Sequence, residues 1–401
     1  MKRTLQSSLP GPAALFPVAA LTLIAATYGL ARLGYGLFLP SFSATFALTP
    51  TVGGMLASGA SVVYCVSAVL GFRYAPTRPR LVVLLAGSTA MAGSATMAVA
   101  QNTPVFAAAV LLAGMGAGFA SPALVELVQR NVRTEQQSRV QSVVNSGTGF
   151  GVVIAGVLAL AVGTSWRLAW ALIAVVALAA LIGVLRTDRS RTAAAPDSGP
   201  VVPPSSILEV RALRHPIVAA FTFGVGASAI WVHGRTLLEV QGGMAVELSA
   251  VAWITLGAGG AAAVLSASWL ARHSLRTTWL VTVVGVVAAT GTFTVAPLYP
   301  ILSFGAAALF GLAYTAATSV LIIWATHAAV NSAAGTSVLF TSLVLGQAVG
   351  ATLTGALIEA LDFAPAFAIA AGVCLLGLLK PAPRPRSVAG VPPFPAYPAA
   401  T

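Results

Sequence analysis

Charge is what this chain has least of. Asp, Glu, Lys and Arg together make up 7% of its 401 residues, against about 25% in an ordinary soluble domain. Too little polar surface remains for a chain of this size to face water on every side. Its two cysteines, Cys65 and Cys374, both lie in apolar runs and imply no disulfide framework. The four histidines, His215, His233, His273 and His327, are scattered. Neither His-x-x-His nor Cys-x-x-Cys spacing occurs, so no metal site is expected. A Walker A sequence is also missing, which excludes direct ATP drive within the chain. No Ser/His/Asp arrangement suggests hydrolysis, so neither catalytic residues nor cofactors are expected. The 39 glycines are dispersed rather than placed at every third position, which excludes a collagen-like chain.

What is present is apolar sequence in long blocks. A hydrocarbon core about 30 Å thick needs roughly 20 apolar residues in a helix. Twelve stretches qualify: 14–39, 51–72, 81–100, 105–126, 141–163, 166–186, 216–240, 248–271, 277–296, 301–325, 335–358 and 364–380. They run continuously in Leu, Val, Ala, Ile and Gly, without the alternation of a β-barrel strand. Lys2 and Arg3 before the first block have the look of a signal peptide. That block runs on well beyond the usual h-region of about 7–15 residues, so it is taken as the first span.

The net charge of +12 comes from 21 basic and nine acidic residues. In a soluble protein such an excess would point to nucleic acid; in a membrane protein it follows from the positive-inside rule. Twelve spans place both termini on one side. Eighteen of the 21 basic residues then fall in the segments on that side, among them Arg73, Arg78, Arg80, Arg130, Arg133, Arg139, Arg186, Arg272 and Arg276. Arg167 and Arg235 lie near the other face, and Arg32 lies within a span. Nucleic acid is therefore excluded as a partner. The expected location is a bacterial plasma membrane, with multiple passes and both termini in the cytoplasm.

Residues 187–214 form the one long polar interruption. The expected organisation is a six-helix bundle over 1–186, a cytoplasmic central loop over 187–214 and a second six-helix bundle over 215–380. Ser206-Ile207-Leu208-Glu209 fits a capping box, so a short interfacial helix is predicted to run into the seventh span. Residues 381–401 contain seven prolines and are read as a disordered cytoplasmic tail. A shift of 199 residues places Gly147, Gly151 and Gly156 of span five on Gly346, Gly350 and Gly355 of span eleven, and Arg73 on Arg272. A shift of 197 places Gly114 on Gly311. The pattern is a parallel repeat of two bundles sharing an interface at the membrane midplane. Glycine pairs four apart, Gly114/Gly118, Gly147/Gly151 and Gly346/Gly350, allow helix backbones to approach closely.

With these features the chain resembles the major facilitator superfamily over all twelve spans. Gly71-Phe72-Arg73-Tyr74-Ala75-Pro76-Thr77-Arg78-Pro79-Arg80 keeps the first glycine and last arginine of the family's Gly-x-x-x-Asp-Arg-x-Gly-Arg-Arg loop between spans two and three. Ala75 stands in place of the aspartate and Arg78 in place of the second glycine. Gly147 to Gly156 is similar to the Gly-x-x-x-Gly-Pro-x-x-Gly-Gly element of the drug/proton antiporters, without its proline and one glycine. Trp166-Arg167 resembles the family's opening of span six. Tyr28 to Pro40 resembles a poorly characterised bacterial branch with a Gly-x-x-Arg-x-x-Tyr-x-x-x-x-Pro stamp. The resemblance implies an all-α membrane protein of twelve helices in two six-helix bundles, acting as a secondary transporter by alternating access.

Ionisable groups inside a span cost about 2.5–3.5 kcal/mol on insertion scales and mark functional candidates. Arg32 is the deepest, although it stands about seven residues, roughly 10 Å, from the predicted outer end of span one. It shares a helical face with Tyr28, Tyr35 and Leu39. Ser228, Trp231, Arg235 and Glu239 form a similar face on span seven, where Arg235 has Glu239 as an i,i+4 partner. The two arginines at similar depth in equivalent spans suit an anionic or carbonyl-rich solute. Tyr64, Asn145, Tyr314, Thr318 and Gln347 complete the candidate polar path. Glu126, with Arg130 one turn on, and His233 are the candidates for proton coupling. The expected partners are a small-molecule solute, the lipid bilayer and protons, with the chain acting as a monomer. The antiporter likeness favours efflux of a small organic molecule; uptake of an organic anion bound by Arg32 is the alternative. A non-transporting sensor or lipid-handling enzyme is the reading from a different class, and it would need an output domain or a catalytic group.

Overall fold

A computed structural model of the chain describes residues 12–188, 207–295, 299–329 and 332–378. The predicted tail over 381–401, loop residues 189–206 and the capping serine Ser206 lie outside the described residues. Among the described residues every regular element is helical. Eleven of the described helices are long and apolar enough to cross a membrane. They are α1 (Leu15–Phe46), α2 (Pro50–Tyr74), α3 (Pro79–Val99), α4 (Thr103–Asn131), α5 (Thr134–Val162), α6 (Trp166–Thr187), α7 (Leu213–Gln241), α8 (Val246–Arg272), α9 (Leu275–Phe293), α10 (Ile301–Ala328) and α11 (Ala334–Leu361). The expected twelfth span is present as a shorter apolar helix, α12 (Phe363–Leu376).

The helix starts follow local chemistry. Proline, which lacks an N–H and has its φ preset, stands at the first or second position of α2, α3 and α4. Thr49, Asn102 and Ser274 cap α2, α4 and α9 by accepting from the N–H of Val52, Val105 and Thr277. The seventh span enters through a helix that begins at Ile207 and passes Pro216. One boundary departs from the sequence reading. α1 does not stop near residue 39 but carries Pro40 in its interior and ends at Phe46, because packing against neighbouring helices tolerates a proline inside a membrane helix. Arg32 therefore stands fourteen residues before the end of α1, about 21 Å at 1.5 Å per residue. That is too far for a snorkelling side chain.

The glycine pattern records the repeat in three dimensions. A Cβ at Gly147 or Gly151 of α5 would meet the carbonyls of Leu21 and Ala25 in α1; one at Gly346 or Gly350 of α11 would meet those of Phe221 and Val225 in α7. A Cβ at Gly114 of α4 would meet Ala60 in α2, and one at Gly311 of α10 would meet Leu256 and Gly260 in α8. These contacts lie within each half. The third glycine of each set crosses between halves, Gly156 against Ile254 in α8 and Gly355 against Pro50 in α2. Equivalent helices thus make equivalent contacts about 200 residues apart.

Among the described residues, hydrogen bonds between the halves lie near the level of Arg32 or beyond it, toward the face away from the arginine-rich loops. The innermost is Cys65 Sγ to the Thr341 carbonyl at 4.0 Å. Beyond it, Ser58 bonds to Thr352 at 2.7 Å and to the Ala348 carbonyl, and the Thr51 N–H donates to Glu359 at 2.7 Å. Gly36 of α1 lies against the Trp231 carbonyl, and Gly54 of α2 against that of Ala351, with no room for a Cβ at either place. The face opposite the arginine-rich loops is closed. Overpacking such a contact costs about 1–3 kcal/mol. In a cysteine-free background, Gly54→Val is expected to lower the melting temperature and to increase labelling of Ala57→Cys by an impermeant thiol reagent applied from that face. Unchanged labelling would show that this contact does not keep the face shut.

Candidate functional site

Arg32 closes a π-helical stretch, Ala25–Arg32, within α1. The wider turn interrupts the regular ladder, a feature frequent at functional sites. α7 carries a matching stretch, Ala229–His233. Between these segments lies a cavity of about 50 Å³ bordered by Arg32, Tyr35, Ser61, Ser228, Trp231 and Gln347, among other residues of α1, α2, α7 and α11. Both halves thus contribute to one chamber at mid-span.

The Arg32 guanidinium lies over the Tyr64 ring, 4.4 Å from its centroid, and donates to Gln347 Oε1 at 3.2 Å. Gln347 in turn donates from Nε2 to the Tyr314 hydroxyl at 2.9 Å. The hydroxyls of Tyr28 and Tyr64 share a 2.7 Å hydrogen bond, and Tyr35 donates to the Gly53 carbonyl at 2.9 Å. Trp231 meets Tyr314 edge to face at 5.4 Å and Phe310 at 5.6 Å. Tyr314 is sandwiched between Phe223 and Phe310, both centroids 5.7 Å away. Among the described residues Arg32 has no ion pair, and no carboxylate borders the cavity. The site therefore holds one positive charge, compensated only by a ring face and an amide oxygen.

Tyr28, Arg32, Tyr35, Tyr64, Trp231, Tyr314 and Gln347 are brought together at or beside this cavity. Arg235 is not. It is buried between α1, α7 and α8, bonding Glu239 at 2.6 Å, Ser249 at 2.9 Å and the carbonyls of Val246 and Leu37. Its charge and its donors are taken up in fastening the closed face. Asn145 accepts from Gln141 one turn away on α5, and Thr318 bonds back to the Thr315 carbonyl; neither borders the cavity. His233 is buried against the Ala351 carbonyl at 3.2 Å, on the closed side. Glu126 stands half-buried on α4 near the arginine-rich face. Its neighbour Arg130, the obvious i,i+4 partner, is turned instead to Asp188. Phe223, Phe310 and Ser61 were not among the sequence candidates. Phe310 was within reach, since it precedes Tyr314 by one helical turn and shares its face.

A second polar cluster ties three helix ends on the arginine-rich face. Asp188, just after α6, accepts from Arg80 Nε at 2.6 Å, from Arg130 Nε at 3.1 Å and also from its Nη2, and from Asn131 Nδ2 at 2.9 Å. Arg80 also donates to the Asp188 carbonyl at 3.1 Å. Arg80 is the surviving arginine of the loop between spans two and three, so that loop is anchored even though Ala75 occupies the usual aspartate position. Burial opposes the Asp188 charge, but the hydrogen bonds from Asn131, Arg80 and Arg130 outweigh it and hold the carboxyl below its usual range.

Two helical bundles meeting around a mid-membrane chamber are the architecture of a secondary transporter. The family model of the Major Facilitator Superfamily matches residues 21–343, and the chain belongs to that family. Solved structures agree in fold. The nucleoside transporter NupG is 11% identical with a TM-score of 0.71, over 92% of this chain and 98% of that one. A D-xylose–proton symporter is 13% identical with a TM-score of 0.70, over 91% and 96%. A bacterial homologue of the human lysosomal transporter Spinster, in an inward-facing and occupied conformation, is 15% identical with a TM-score of 0.61, over 93% and 95%. Identities this low show the shared fold and carry no substrate across. No curated relative matches the chain in sequence.

The Asp188 cluster makes a prediction about pH. A carboxyl whose folded pKa is depressed stabilises the fold above its unfolded pKa, and that contribution is lost as the pH falls through the folded value. Asp188→Asn is therefore expected to destabilise the protein at neutral pH by about 1.5–3 kcal/mol, the magnitude of hydrogen bonds to a charged group. It should also flatten the loss of melting temperature below the ordinary carboxylate range. Parallel acid melting curves for the two proteins would contradict this role.

Proposed function

We propose that this transporter carries a small organic solute through the Arg32 cavity, exposing it alternately to the two sides of a bacterial plasma membrane. The observation that supports this reading is an unpaired guanidinium at mid-span, in a chamber built from both halves. A charge placed there without a carboxylate is costly unless a ligand completes it, and a solute bound between two bundles is the requirement of alternating access. The arginine distribution supports cytoplasmic termini. Export is the direction supported by the glycine element of α5. Glu126 is the carboxylate offered for proton coupling, because Arg130 is engaged elsewhere and leaves it without an ion pair among the described residues.

The test is flux in proteoliposomes. Across a panel of radiolabelled organic solutes, at least one is expected to show saturable counterflow. Arg32→Ala should reduce that counterflow at least tenfold, and Arg32→Lys should leave part of it. Collapsing the pH gradient, or Glu126→Gln, should stop uphill transport while sparing exchange. Counterflow equal in wild type and Arg32→Ala contradicts the role given to Arg32; uphill transport untouched by collapse of the gradient contradicts the coupling.

A further inference from the structure

Resting on that reading, we infer that the solute is a small monoanionic aromatic carboxylate, held by Arg32 at its carboxylate and by the surrounding rings along its body. The charge count comes first. The cavity carries one guanidinium and, among the described residues, no acidic side chain to balance it. One bound negative charge neutralises the site; a dianion such as a phosphate monoester or dicarboxylate leaves a second charge uncompensated in a low-dielectric setting, and a cation meets repulsion.

The hydrogen-bond inventory comes next. Gln347 spends its carbonyl on Arg32 and its amide N–H on Tyr314. Ser228 is turned to the Val225 carbonyl at 2.7 Å, and Tyr35 to Gly53. Apart from the Ser61 hydroxyl, these polar side chains of the wall are satisfied by the protein itself. A polyol or nucleoside, which brings many hydroxyls or ring nitrogens, would bury them without partners. Three kinds of donor remain for an oxygen-rich anion: the guanidinium N–H groups that do not face Gln347, the Ser61 hydroxyl, and the indole N–H of Trp231, a residue of the cavity wall whose nitrogen is buried without an acceptor. A carboxylate can accept from each of these, and a guanidinium offers it a planar pair of donors.

The walls decide the rest of the ligand. Tyr35 and Trp231 border the cavity from opposite halves of the chain, with the Tyr28–Tyr64 pair beside Arg32 and Tyr314 edge-on to Trp231 in the shell around them. A flat ring in the cavity therefore has aromatic edges or faces of both halves to meet. At about 50 Å³ the chamber has room for only a few waters at roughly 10–15 Å³ each. Even a one-ring acid requires its walls to part, and a larger acid requires more.

The experiment is ligand titration of the full-length protein in nanodiscs, followed by tryptophan fluorescence and melting temperature. The probes are benzoate, phenylacetate, benzyl alcohol, phenyl phosphate and benzylammonium. Benzoate or phenylacetate is expected to bind saturably, at least tenfold more tightly than the alcohol, the phosphate dianion or the cation. Arg32→Ala should lose at least tenfold for the acids and little for benzyl alcohol, with Arg32→Lys as the variant that retains the charge. Trp231→Phe, which keeps a ring and removes the N–H, should weaken the acids by about three- to tenfold. The wild-type panel decides the matter even if a variant fails to fold. Benzyl alcohol or phenyl phosphate binding as tightly as benzoate, or no saturable binding of either acid, overturns the assignment. Arg32-dependent counterflow of a different solute class would overturn it while leaving the transport reading intact. Saturable benzoate binding without any flux would do the reverse.

Discussion

One guanidinium without a carboxylate, held at the middle of a membrane span, is the constraint around which this protein is arranged. In water Arg32 would need no explanation. Half-buried among helices it loses part of its hydration, and the protein returns only part of what is lost. The Tyr64 ring face contributes about 0.5–2 kcal/mol, and Gln347 supplies one neutral hydrogen bond. Gln347 is fixed in turn by Tyr314, and Tyr314 by the rings of Phe223 and Phe310. The aromatic shell thus orients the charge without neutralising it. The neutralising group has to come with the solute, and its arrival couples binding to both halves of the chain, since Arg32 belongs to one and Gln347 to the other.

The contrast with Arg235 sharpens the point. The two arginines stand in equivalent spans, Arg32 near the middle of its own and Arg235 late in its own, each at or beside a π-helical segment, yet their chemistry has diverged. Arg235 has Glu239 one turn away, Ser249 opposite and two carbonyls within reach, so its charge and its donors are satisfied by the protein. One of those carbonyls, that of Leu37, belongs to the other half, which makes Arg235 a fastener of the closed face. Glycines at positions 36, 54 and 355 bring the same face to backbone contact. Release of this layer is what access from that side requires. On the arginine-rich face Asp188 ties the ends of α4 and α6 and the start of α3 within one half, so that half can move as a unit.

Much of the fold was legible because membrane helices are written in length and hydropathy, which need no tertiary information. The 200-residue repeat was legible in glycine spacing for a related reason: a close helix crossing tolerates almost nothing else. Errors came where context overrides local preference. Pro40 reads as a helix end, but in α1 neighbouring helices keep the chain helical to Phe46, and the depth of Arg32 changed with it. The last span, read to residue 380, is a described helix only to Leu376. Within the site, the shared face of Tyr28, Arg32 and Tyr35 was visible from periodicity. The partnership of Arg32 with Tyr64 and Gln347 was not, because it links positions 32 and 315 residues away. Arg235 and Asn145 stand among the sequence candidates, and only the packing shows that their hydrogen bonds are made elsewhere. Asp188 was passed over because it sits at the edge of a polar loop, where a carboxylate ordinarily needs no partner.

The central claim is that the transported solute meets the side chain at position 32. It is tested most directly in a cysteine-free background carrying Arg32→Cys, reacted with a positively charged thiol reagent with and without the solute that the wild type transports. The account predicts that the solute slows modification and that the cationic adduct recovers part of the lost flux, whereas a neutral adduct of similar size recovers none. Modification at the same rate with and without solute, with no recovery by the cationic adduct, would contradict it.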